Sequence, residues 1–174
     1  MSYRLHPVHG VLRIDTDEHI TDRSHAGWPA YQQWLRDGNV PAPAEPEPAP
    51  LDALHARVRS HINIERNRRE LGGFEYQGRT IDSDVASVLR IASGASTATA
   101  AAMFEQPWSV EWTCADDSTL MLDANGMIAM LAALAEYADA VHQHARALKA
   151  AAHALHLAGD RAGLEEFDVT AGWP

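Results

Sequence analysis

Ten histidines in 174 residues are the side chains here most open to chemistry. Neutral imidazole is the commonest metal ligand and the group that changes charge near neutrality. Their spacing argues against a metal site. His142 and His144 are two apart in a helical stretch, so their rings project about 200° apart and cannot hold one ion. His153 and His156 are three apart and share a face, yet no Asp, Glu or Cys at a neighbouring turn completes a coordination set. His6 and His9, read as part of a strand, would face opposite sides. Nothing approaches the specificity of a His-Glu-x-x-His helix. The expectation is solvated or capping histidines, with no metal and no cofactor.

Two carboxylate clusters, Asp82-Ser83-Asp84 and Asp116-Asp117, could run acid–base chemistry or hold a hard cation. Each falls at a predicted turn or helix start, where Asp serves backbone hydrogen bonding and the helix dipole. Cys114 has no basic neighbour within several residues to lower its pKa. A Gly-x-Ser-x-Gly elbow, a phosphate-cradling glycine loop and a dinucleotide fingerprint are all missing from the sequence. No catalytic residue is assigned, and the chain reads as a binding protein, not an enzyme.

Bulk properties narrow the partners. A net charge of −10 and a pI near 5.3 oppose phosphate neutralisation, so nucleic acid is not expected. The same charge disfavours anionic membranes. The longest apolar stretch, Gly126 to Ala135, is too short to span a bilayer. Met1 to Gly10 lacks the apolar region of a signal peptide, and a single cysteine suits a reducing cytoplasm. With 46% hydrophobic and 22% charged residues, a packed core is expected.

The elements that must position these groups read as an α+β chain in four parts. Residues 1–38 form a small module, 39–50 a linker, 51–158 an α+β domain and 159–174 a C-terminal extension. The linker carries five of the nine prolines, at near-alternate positions, which favours an extended polyproline II spacer. In the first module Tyr3 to Ile14 suggests one or two brief strands with a turn at His9-Gly10. A helix follows over Trp28 to Leu35, with Pro29 in its first turn and Gly38 as its stop. Trp28, Tyr31, Trp34 and Leu35 share one side of it. Fewer than forty residues are not expected to bury that stripe unaided, so it is the candidate partner-binding surface.

After the linker, Leu51, Leu54, Val58 and Ile62 give the next helix its apolar face, and Gly72-Gly73 end it. Phe74 to Tyr76 and Arg79 to Ile81 flank Gln77-Gly78, a two-residue hairpin turn. Asp82 or Ser83 is placed to cap a helix expected to bury Val85, Val88, Leu89, Ala92 and Met103. Two strands, Trp108 to Trp112 and Thr119 to Leu122, precede a helix capped by Asp123 and running to about Leu157. Its apolar positions include Leu131, Leu134, Val141, Leu148 and Leu155 and advance by alternating threes and fours over four heptads. Such a seam suits coiled-coil-like homo-oligomerisation or close packing against the first helix.

Two stretches resemble phage tail-fibre assembly proteins. Trp28-Pro-Ala-Tyr31-Gln-Gln-Trp34-Leu35-Arg-Asp-Gly38-Asn39-Val-Pro41, with the proline-rich run after it, is similar to a W-x-x-Y-x-x-W-L-x-x-G-N-x-P segment of those proteins. Ile62 to Ile91 resembles a tail-associated domain of unknown function, through Gly73-Phe74-Glu-Tyr76-Gln-Gly78 and Asp82-Ser83-Asp84. The likeness continues through Trp112, the alanine-rich helix with His144-Ala145 and the closing Thr170-Ala-Gly-Trp173-Pro174. It implies a chaperone or accessory factor that binds tail-fibre polypeptide in the host cytoplasm, or alternatively a permanent part of the virion tail. It implies no catalytic residue. Phe74, Tyr76 and Asp84 are read as fixing the hairpin and the cap that follows.

Overall fold

The structure, a computed structural model, describes residues 1–46 and 48–174. The chain divides into two compact units, Met1–Ala49 and Pro50–Pro174, and its composition is α+β as expected.

The first unit is a three-stranded antiparallel sheet, β1 (Tyr3–Leu5), β2 (Val11–Arg13) and β3 (Glu18–Ile20), carrying α1 (Trp28–Arg36). The third strand has no counterpart in the sequence reading; Glu18-His19-Ile20 is too short to show a period. The sheet supplies what the aromatic stripe lacked. Tyr3, Val11, Ile20 and Tyr31 are buried together, with Trp28, Trp34 and Leu35 packed on them. Tyr3 meets the edges of Tyr31 and Trp34 at 5.0 Å each, the offset geometry that aromatic quadrupoles favour. The linker is also partly absorbed. Ala42 bridges to Arg4 in parallel, exchanging backbone bonds with Leu5 and Tyr3, and Glu45 pairs with Arg4. The predicted spacer over 39–50 includes Glu47, which lies outside the described residues.

The second unit opens with α2 (Leu51–Glu70), then the hairpin β4 (Phe74–Tyr76) and β5 (Arg79–Ile81). Gln77 and Gly78 both have positive φ, 49° and 73°, as a type I′ turn requires. The helix α3 (Val85–Met103) is capped by Asp84, whose carboxylate accepts from the N–H groups of Ala86 and Ser87, not by Asp82 or Ser83. Ser83 has another task. Its buried hydroxyl donates to the Glu70 carbonyl at 2.6 Å and accepts from the Gly73 N–H at 2.9 Å, tying the end of α2 to the hairpin exit. A second hairpin, β6 (Ser109–Thr113) and β7 (Thr119–Asp123), leads into α4 (Ala124–Leu157), capped by Asp123.

Thirty-four residues make α4 the spine of this unit. Its N-terminal half meets α3 and both hairpins in one core, centred on Phe74, Ile81, Ile91, Trp112, Leu122, Met127 and Met130. Its C-terminal half meets α2 in another, built from Leu54, Val58, Ile62, Ala145 and Ala152. The C-terminal segment closes that second core: α5 (Arg161–Glu165) buries Leu164, and Phe167, Val169 and Trp173 pack beside it.

The buried face of α3 differs from expectation. Ser87, Ile91, Ala95 and Ala98 face inward, while Val85, Leu89 and Met103 are 69%, 66% and 75% exposed. Residues two apart on a helix point in nearly opposite directions, so Ile91 inside places Leu89 outside. The small residues win the core because they let the helices approach closely. A Cβ on Gly94 would stand 3.2 Å from the Met127 sulfur. Ile91→Ala is therefore expected to cost about 2–5 kcal/mol, whereas Leu89→Ala stays within about 0.5 kcal/mol of wild type, both read by urea unfolding. The Ser83 bridge makes a separate demand. Ser83→Ala leaves two part-buried backbone groups, the Glu70 carbonyl and the Gly73 N–H, without this partner and should lose about 1–3 kcal/mol in the same assay.

Glu65, buried near the end of α2, accepts a bidentate pair from Arg68 (2.8 and 2.6 Å) and a third bond from Arg69 at 2.8 Å. Those hydrogen bonds, Arg68 first, lower its carboxyl from the ordinary 4.5 to about 2. A carboxylate lowered on folding adds stability that is whole above the unfolded pKa and lost as pH falls toward the folded one. The melting-temperature gap between wild type and Glu65→Gln should therefore close as pH is taken from about 5 to about 2.

Candidate functional site

An apolar concavity runs along the edge of the α3–α4 contact in the second unit. The rotation of α3 leaves Val85, Val88 and Leu89 along its N-terminal half. Leu131, Leu134, Ala135 and Ala138 face them from the middle of α4, and Leu71 and Glu70 at the end of α2 close one end. Together they line a groove of about 390 Å³. Three of its apolar residues, Leu71, Val85 and Leu89, are each more than half exposed. Ser83, at its base, already holds two backbone bonds. Beyond the groove the same line of α3 continues to Met103, about five turns from Val85 at 3.6 residues per turn, and to the exposed Phe104. The lining is mainly aliphatic, with Glu70 and Ser83 as its polar members, so the groove suits an apolar segment.

The helical seam is spent within the chain. Leu134 and Val141 are buried, and Leu131, Leu148 and Leu155 are half-buried against the two cores or the groove. A 20-residue α2 and a 19-residue α3 cover α4 in succession, so its threes and fours describe an intrachain contact.

Of the aromatic stripe, Tyr31 is buried and so committed to the first unit's own core, where burial pushes its phenol up. Trp28, Trp34 and Leu35 are half-buried and keep an exposed edge.

The remaining candidates fall into structural roles. Asp84 caps α3, and Asp116 accepts from the Ser118 N–H and hydroxyl in the β6–β7 turn. Those hydrogen bonds, from Ser87 and Ser118 respectively, hold both carboxyls below the ordinary range. Cys114 is buried. His142 and His144 diverge, as their spacing requires: one pairs with Glu70 at 3.3 Å, the other meets the Ala171 carbonyl at 3.0 Å and the Trp173 ring. His6 lies beyond the end of β1 and stacks on His19 at 3.9 Å, because the sheet brings β3 alongside. His153 and His156 do share a face of α4, and α2 brings His55 against them. Burial, then the neighbouring His156, Arg59 and His153, hold the His55 ring below its ordinary pKa.

The groove escaped the sequence reading because a hydrophobic period marks a stripe without saying which of two stripes is buried. The signal that could have found it was the paired presence on α3 of a small-residue line and a large-residue line. Among the described residues no helix is long and apolar enough to cross a membrane. No curated protein and no solved structure matches the chain. Residues 53–171, more than half of the chain and all of the groove, match the family described as Domain of unknown function (DUF4376), and the chain belongs to that family.

Proposed function

We propose that this protein is a tail-fibre assembly factor that binds tail-fibre polypeptide non-catalytically, with the α3–α4 groove as its main contact. The exposed apolar groove carries the reading. Val85 and Leu89 gain nothing from facing water, and burying them against a partner would recover about 25 cal/mol per Å² of apolar surface. Fibre subunits expose apolar edges until they assemble, which is the kind of surface such a groove can hold. The exposed edges of Trp28 and Trp34 supply a second contact of aromatic character. The net charge of −10 keeps a protein with these patches soluble and apart from its own copies. The resemblance of residues 28–41 and 62–91 to segments of tail-fibre assembly proteins supports the choice of partner.

Co-expression with the tail-fibre polypeptide, followed by size-exclusion chromatography with light scattering, tests it. Wild type is expected to co-elute with the fibre. Val85→Asp/Leu89→Asp should lose co-elution while keeping its circular dichroism, and Trp28→Ala/Trp34→Ala should weaken it. No co-elution by wild type, with fibre solubility indifferent to its presence, would end the reading. Recovery at fixed stoichiometry from purified particles would replace a transient assembly factor by a permanent tail component.

A further inference from the structure

His55 meets His153 and His156, about a hundred residues further along the chain, where the first turns of α2 lie against the last turns of α4. The rings of His55 and His156 stack at 4.5 Å and 15°. His153 stands 5.6 Å from His55 and 6.2 Å from His156. One ring nitrogen of each lies within 4.8 Å of the others. The carboxylate of Asp52 sits 2.6 Å from His156 Nε2. An ionised carboxylate can only accept, so that nitrogen donates and the lone pair of His156 is left on Nδ1. Both His156 Nδ1 and His55 Nε2 are buried and have no hydrogen-bond partner. Two partnerless polar atoms in one cluster are unusual in a folded protein and call for an explanation.

We infer that His55, His153 and His156 bind a divalent transition metal of the zinc class, with Asp52 holding His156 in the tautomer that ligates. An all-imidazole donor set suits zinc and its neighbours and is a poor match for calcium or magnesium. Three protein ligands leave a fourth tetrahedral position for water or a small anion. The carboxylate behind a ligating histidine is the usual supporting arrangement for such a site. With Zn–N bonds of about 2.0–2.1 Å, ligand nitrogens of a tetrahedral ion lie about 3.3 Å apart, so the cluster has to close by at most about 1.5 Å on binding. His153, exposed at the end of α4, is free to make that movement. The ion would clip the start of α2 to the end of α4, where helix ends otherwise fray. This site stands whether or not the groove binds a fibre.

The test uses full-length protein freed of any histidine tag and stripped with chelator, then titrated with zinc chloride by calorimetry and melted with and without the ion. The expected result is one Zn²⁺ per chain and a melting temperature that climbs with free zinc. His153→Ala, at an exposed position that leaves the core untouched, should abolish both effects. Asp52→Asn should weaken binding tenfold to a hundredfold. His6→Gln/His9→Gln, in the other unit, should bind as wild type does. Zinc binding by His153→Ala equal to wild type, or an absence of saturable binding by wild type, would overturn the site.

Discussion

A 34-residue helix is about 50 Å long at 1.5 Å per residue, and neither α2 nor α3 can shield it alone. The second unit is organised around that mismatch. α3 covers the first half of α4 and α2 the second, so one apolar stripe serves two cores in succession. The 34 residues of α4 hold these partners together, and no long-range sheet does so, since the hairpins have two strands each. The C-terminal segment exists to finish the arrangement. Without Leu164, Phe167, Val169 and Trp173 the far side of the α2–α4 core would face water.

The same constraint explains why large apolar residues are left outside. Two helices that must both reach α4 approach most closely through small side chains, and α3 offers Gly94, Ala95 and Ala98 for that purpose. Its Val85 and Leu89 are then forced outward, 69% and 66% exposed. Close packing at the helix contact and an apolar groove on the surface are thus two consequences of one choice of face. The polar couplings around them join separate elements as well as capping them. Asp84 caps α3, Ser83 bridges α2 to the hairpin, and Tyr137 donates to the Arg69 carbonyl at 2.8 Å. These bonds fix the end of α2 that closes the groove.

The first unit solves a different problem with the same economy. Forty-nine residues have little area to bury, yet three short strands give Tyr31 a floor in Tyr3, Val11 and Ile20. Ala42 then adds its backbone to the edge of β1. Part of the proline-rich run is thereby tied to the sheet, since an edge strand tolerates proline neighbours where a central one would not.

Local signals in the sequence determined local structure. Gln77-Gly78 specifies its turn through positive φ, Asp123 specifies a helix start through its carboxylate, and the long heptad specifies α4. Each depends on neighbours a few residues away, which is what a sequence displays directly. Tertiary structure decided everything that required choosing a partner. It turned the α4 seam inward, since helices of the same chain reach it at far higher effective concentration than another copy does. It chose the small face of α3 over the large one. It also set the antiparallel register of α2 on α4, which brings Asp52 and His55 to a His153–His156 pair that looked incomplete on its own helix. Spacing along one helix reports two of those histidines; only the packing of two helices supplies the third.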